Sequence, residues 1–166
     1  MRVILARAAL VLLSWPAPCP AWETYIGRNL TVRVIALSPG NILQVKDNSG
    51  QEFPVRFYGI GIPGSRQPLG NEAKELIGSL LPPGSRAILT TVNQDDEGIV
   101  SALVQVQDRS VNNRLVSDGL AWVDRSTCKA FFCRRWHIEE HLAQKDRRGI
   151  WSLNMSTPPW QWGNTD

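Results

Sequence analysis

The chain has 166 residues, 43% hydrophobic and 20% charged, which suits one globular domain with a sizeable core and excludes a disordered or low-complexity chain. Its 18 Lys and Arg against 15 Asp and Glu give a formal charge of +3. Arg2 and Arg7 lie in the first 21 residues beside no acid, so without them 16 basic face 15 acidic side chains, a balance that speaks against an avid, non-specific polyphosphate binder.

Arg2 and Arg7 precede an apolar run over residues 8–15 and a Pro-rich stretch that ends Cys19-Pro20-Ala21. That is the layout of a signal peptide over residues 1–21, cut before Trp22, and it leaves one domain over 22–166. The run is short for a membrane anchor, and Pro16-Ala17-Pro18 ahead of Cys19 lacks the lipoprotein pattern. No later segment reads as a membrane span, so the expected product is secreted or periplasmic, monomeric and free of the membrane after cleavage.

Residues 30–37 alternate apolar and polar side chains, the period of a strand with one buried face. Ser38-Pro39-Gly40-Asn41 turns the chain into a second strand carrying Ile42, Leu43 and Val45. Asp47-Asn48-Ser49-Gly50 is turn chemistry again, and residues 53–60 read as a third strand of a meander. Apolar residues at helical spacing (Leu69, Ala73, Leu76, Ile77, Leu80) then predict a helix stopped by Pro82-Pro83-Gly84. Residues 87–92 and 100–106 read as a hairpin around a polar connection. Two helices follow, over about 111–117 ending near Gly119 and about 134–148 ending at Gly149. Between them stand Cys128 and Cys133, which export would oxidise; five apart on a continuous helix they would point to different sides, so a disulfide requires a turn there. The order βββαββαα is that of an α+β, mostly β chain with a five-stranded Greek-key barrel of the OB type. Trp160 and Trp162 in the tail imply that it packs back on the body.

The segments VRFYGI (residues 55–60), LGNEAKELI (69–77), VNNRLVSDGLAWV (111–123), RRGIWS (147–152) and PPW (158–160), in that order, resemble the thermonuclease (staphylococcal nuclease-like) family. The likeness runs over about residues 31–162, and the cysteine pair before the last helix resembles exported bacterial members. It implies the family's barrel and a calcium-dependent phosphodiesterase, in which carboxylates hold the ion, a glutamate activates water and two arginines clamp the phosphate.

Position by position, that machinery is missing. The family's first metal aspartate falls in the turn around Gly40, where no carboxylate stands. After the retained Arg56, the second metal aspartate and the general base fall at Gly61 and Gly64, and the second arginine falls at Ile99. Asp124-Arg125 replaces an aromatic stretch that stacks bases, leaving Arg56 and Arg125 as candidate binding residues. Glycine offers no ligand or base, and a general base alone is worth about 100- to 10,000-fold in rate. If Arg56 faces inward it is a lone cation that requires a carboxylate, a carbonyl or an anion.

Other patterns are weighed and set aside. His137-Ile138-Glu139-Glu140-His141 matches an H-x-x-E-H zinc motif but has no third ligand downstream except Asp166, and it reads as coincidence on a solvent-facing helix. A zinc cluster of Cys128, Cys133, His137 and His141 is stretched too far along one helix. Asp95-Asp96-Glu97 reads as a solvated loop, and Arg134-Arg135 with Arg147-Arg148 as a soluble face, although residues 109–148 hold most of the basic excess and should favour any anion. The expected function is a binding module for nucleic acid, another anion or a protein, without cofactor. The alternatives are a nuclease with a calcium site rebuilt from Asp47, Asp95 or Asp96, and an adaptor that only docks to protein.

Overall fold

A computed structural model describes residues 27–153 and 157–162, so residues 1–21 and the cut before Trp22 lie outside the described residues. Strands β1 (Asn29–Ser38), β2 (Ile42–Asp47) and β3 (Glu52–Phe57) form an antiparallel meander. Alternation works as expected: Val32, Val34, Val45 and Val55 are each at most 2% exposed, and Arg33 and Lys46 between them face water. The β2–β3 turn is held by Asp47, whose Oδ1 accepts the N–H groups of Ser49 and Gln51 at 2.8 and 2.9 Å.

The short two-residue strand β4 (Ile60–Gly61) and helix α1 (Gly70–Leu80) come next. The hairpin of β5 (Arg86–Gln94) and β6 (Val100–Val106) then pairs through β5 with β1. Closure comes from a parallel contact of β3 with β6, Val55 opposite Val100 and Arg56 opposite Ser101. Five long strands therefore close into a barrel with no open edge among them, and β7 (Arg109–Ser110) folds back to pair antiparallel with the end of β6. Leu43, Val45, Val55, Leu89 and Val104 fill the interior at 0% exposure.

Helix α2 (Val111–Ser117) is capped by Ser110, whose side chain accepts the Asn113 N–H at 3.0 Å. Its Asn112, fully buried, accepts the Val104 N–H at 2.9 Å and donates to the Tyr58 carbonyl at 3.1 Å, so one polar side chain ties the helix to both sides of the β3–β6 closure. Strand β8 (Trp122–Val123) and helix α3 (Cys133–Lys145) complete the fold. Cys128 and Cys133 are disulfide-bonded, with Cα atoms 5.7 Å apart, and the turn they require delivers the chain into α3. No helix among the described residues is long and apolar enough to cross a membrane.

Two boundaries differ from the sequence reading. The third strand stops at Phe57 rather than running to residue 60, because Gly59 takes φ +68° and a Cβ there would meet Cys128 Sγ at 2.6 Å. Beyond that turn β4 leaves the barrel ladder and pairs with β8. Helix α3 ends at Lys145, three residues early, where Arg147 adopts φ +52° and donates its N–H to the Gln144 carbonyl at 3.1 Å. Gly149 is therefore no helix stop.

Candidate catalytic corner and adjoining cleft

The turn around Gly40 and the loop carrying Gly61 and Gly64 meet. Asn41, at φ +58°, donates its side-chain amide to the carbonyls of Pro63 at 3.2 Å and Ile62 at 3.5 Å. The loop is then locked to the start of α1: Gly64 donates its N–H to Gln67 Oε1 at 2.8 Å, and Gln67 returns its N–H to the Gly64 carbonyl at 2.8 Å. A Cβ at Gly70 would lie 2.6 Å from the Gly64 carbonyl carbon, so a glycine opens α1 where the loop crosses it.

The two glycines differ in the room around them. At Gly64 an added Cβ meets only Gln67 Oε1, at an ordinary 3.8 Å. At Gly61 it would lie 2.5 Å from Cζ3 and 3.0 Å from Cε3 of Trp160, with Pro159 Cδ at 3.3 Å. The C-terminal segment thus fills the space that a carboxylate at position 61 would enter. The tail does pack back, although Trp160 and Trp162 keep 48% and 43% exposure.

Arg56 and Ile99 come together at Asp95. Arg56 lies on the outer face of the barrel, its side chain 47% exposed, and forms an ion pair from Nη1 to Asp95 Oδ2 at 2.9 Å. Arg56 therefore does not face inward, and its partner is a carboxylate, one of the three kinds of contact an inward-facing arginine would have required. Asp95 has a second duty, because its Oδ1 accepts the N–H groups of Ile99 at 2.8 Å and Glu97 at 3.1 Å and so shapes the hairpin turn. It is a turn-capping residue rather than a free member of a solvated acidic cluster.

Next to Gly61 lies an open cleft of about 610 Å³ walled by Trp122, Trp151, Trp160 and Arg125. Trp122 and Trp151 meet edge to face, ring centroids 6.2 Å apart, but only Trp122 is core; Trp151 is half-buried. Arg125 is 70% exposed and donates from Nη2 to Glu140 Oε2 at 3.1 Å. Glu140, 3% exposed, also accepts the Val123 N–H at 2.8 Å. The helix read as solvent-facing therefore has a buried face of Cys133, Trp136, Glu140 and Ala143. Its buried glutamate is committed to structure while His141 faces water. Both cysteine sulfurs are likewise committed, to each other. No group of three or more His, Cys, Asp or Glu converges on one point among the described residues.

A family-wide sequence profile described as staphylococcal nuclease homologue matches residues 54–153, from within β3 to eight residues beyond α3. The chain belongs to that family. Among its relatives, an "uncharacterized endonuclease" of Escherichia coli is 26% identical over 156 residues, covering 92% of each chain. A "micrococcal nuclease" of Shigella flexneri is 27% identical over 172 residues, covering 98% of this chain and 91% of its own. An "uncharacterized endonuclease" of Haemophilus influenzae is 25% identical and covers 97% and 85%. The nuclease-homologue barrel is thus common ground, and the corner just described is where this member's side chains depart from the residues the resemblance calls for.

Two participants escape a motif search. Asn41 sits one residue beyond the glycine singled out, and its reach to the 62–63 carbonyls has no local signal. Trp160 meets Gly61 across about a hundred residues. Glu140 was legible, since the spacing 133, 136, 140, 143 places it among buried neighbours.

Asp124 gives the cleft a pH signature. Its burial raises the carboxyl pKa, but the hydroxyl and amide donors of Ser126 and Thr127 outweigh that and hold it below the ordinary aspartate value. A lowered folded-state pKa stabilises the protein above the unfolded value and loses that contribution as pH falls through the folded one. The stability gap between the native protein and Asp124→Asn should therefore be full near neutral pH and shrink below the ordinary aspartate range; urea midpoints across pH measure it, and a gap that stays constant in acid would contradict the assignment.

Proposed function

We propose that this member of the nuclease-homologue family is an exported, non-cleaving nucleic-acid-binding module. The observation that carries the reading is the seat of Trp160 and Pro159 on Gly61, against the point from which a metal aspartate would project. The residues present do not fit a calcium centre. A calcium ion takes about six to eight oxygens, mostly carboxylate, whereas glycines stand at 40, 61 and 64 and the neighbouring Asn41 offers at most one amide oxygen. Arg56, the retained phosphate-clamp candidate, is already charge-neutralised by Asp95. Export is supported by the N-terminal pattern and the disulfide.

Binding is the activity left to such a barrel, and the E. coli and Shigella relatives are named for action on nucleic acid. The disulfide-bonded protein, incubated with single-stranded DNA and RNA in calcium or in chelator, should retain both substrates uncut while binding them at low salt. Chelator-sensitive cutting that Arg56→Ala abolishes would replace this reading with a nuclease rebuilt on acids such as Asp95, Asp96 or Asp47. Absence of any binding at low salt would favour the protein-docking adaptor.

A further inference from the structure

Away from the corner and the tryptophan cleft, and sharing no residue with either, an open groove of about 620 Å³ runs between β6–β7, α2, the disulfide loop and the start of α3. Its apolar lining is Leu103, Phe132 and Trp136, and its charged lining is Arg109, Arg114 and Arg135 against Asp108. Beside it stands Phe131, 91% exposed. A single exposed apolar residue is ordinary; this one is held in place. It lies inside the Cys128–Cys133 bridge, its ring meets Phe132 edge to face at 5.3 Å, and Phe132 is anchored on Trp136 at 5.0 Å and Tyr58 at 5.9 Å. The Tyr58 hydroxyl in turn donates to the Thr127 carbonyl at 2.6 Å and accepts the Lys129 N–H at 3.1 Å, so the loop is tied at both its stem and its tip.

The arginines keep donors in reserve. Arg114 and Arg135 use Nε for Asp118 at 2.6 Å and Glu139 at 3.5 Å, each on its own helix segment, which leaves both terminal nitrogens without a protein acceptor among the described residues. Arg109 has no ion pair among them. A fixed aromatic face and guanidinium forks are the parts needed to stack a base and hold its phosphates.

We propose that this Phe131 groove is a second nucleic-acid site, one that takes single strands, with a base on Phe131 and the backbone along Arg109, Arg114 and Arg135. The proposal rests on the binding reading above and assigns it a place outside the family's catalytic corner. A duplex is a poor fit because its bases present no free face to the ring.

Fluorescence anisotropy of a labelled single-stranded oligonucleotide against the full, disulfide-bonded protein over a salt series tests it. Phe131→Ala should weaken binding about tenfold with the salt slope unchanged, and Phe131→Trp should restore it. The Arg109→Ala/Arg135→Ala pair should weaken binding and reduce the log–log salt slope by about 1 to 2. Lys74→Ala, which removes an exposed cation on α1, should bind as the native protein does. Phe131 is exposed, so its removal spares the fold. If the native protein binds no oligonucleotide at low salt, the module reading fails and the groove with it. If it binds and the Phe131 and arginine variants bind equally well, the groove alone is overturned. Equal affinity for a duplex, or Phe131-dependent capture of an acidic peptide in place of the oligonucleotide, would also overturn it.

Discussion

Gly119→Ala should destabilise the protein by about 2–5 kcal/mol, the sum of backbone strain and overpacking against an immovable neighbour. Gly119 ends α2 at φ +71°, with the Leu120 N–H returning to the Leu115 carbonyl at 2.8 Å, a left-handed helix stop that disfavours any Cβ. Strain is only part of the cost. An added Cβ would press into the Arg148 carbonyl, 2.7 Å from its carbon, and the contact is mutual, because a Cβ at Gly149 would press into the Gly119 carbonyl. The same two backbones are joined by the Ile150 N–H, which donates to the Gly119 carbonyl at 2.8 Å. Neither partner can rotate away as a side chain would. Gly50→Ala is the control, since it has a similar positive φ and nothing within 4 Å, and it should cost about 1 kcal/mol. Urea denaturation of both variants measures the difference; equal midpoints would mean that the backbone crossing does not hold the end of α2.

Gly61→Asp should dislodge the tail rather than found a metal site. The backbone of Gly61 is not in the left-handed region, so the substitution meets no strain of its own and the conflict is with Trp160 and Pro159. Trp160 is half exposed and belongs to a three-residue 3-10 turn, whereas Gly61 is hydrogen-bonded into β4–β8; the tail is therefore the part that yields. Overpacking of this kind costs about 1–3 kcal/mol. Tryptophan emission should shift to the red, and proteolysis should remove the tail faster. Calcium should not reverse either change, because one new carboxylate supplies at most two of the oxygens the ion requires. Gly64→Glu, where the Cβ has room, should leave emission unchanged. A Gly61→Asp protein that keeps its native emission and gains calcium-dependent stability would show that the corner can still accept the ion.

The adjacency of these two predictions has a common root. Gly61 pairs with Trp122, and Trp122 follows directly on the Gly119-Leu120-Ala121 stretch that crosses Arg148-Gly149. Position 61 therefore rests on the same junction that Gly119 holds together. Damage at the junction reaches the corner through β8.

Period-two alternation, helical spacing and turn chemistry are local properties, and they were sufficient for the chain order of the five long strands and the three helices. Alternation determined which of Val32, Arg33 and Val34 face inward, since a pleated strand allows only one assignment once one face is buried. The identities at 40, 61, 64 and 99 were equally plain, because glycine and isoleucine bring neither carboxylate nor guanidinium wherever they fold. What surrounds those positions was decided by contacts between distant segments. Trp160 over Gly61, Asp95 on Arg56, Glu140 beneath Arg125 and Cys128 against Gly59 each join residues that no local pattern relates. Whether a bare position becomes an open pocket or a filled one depends on which side chains the closed barrel and the returning tail bring there, and that is settled by packing in three dimensions.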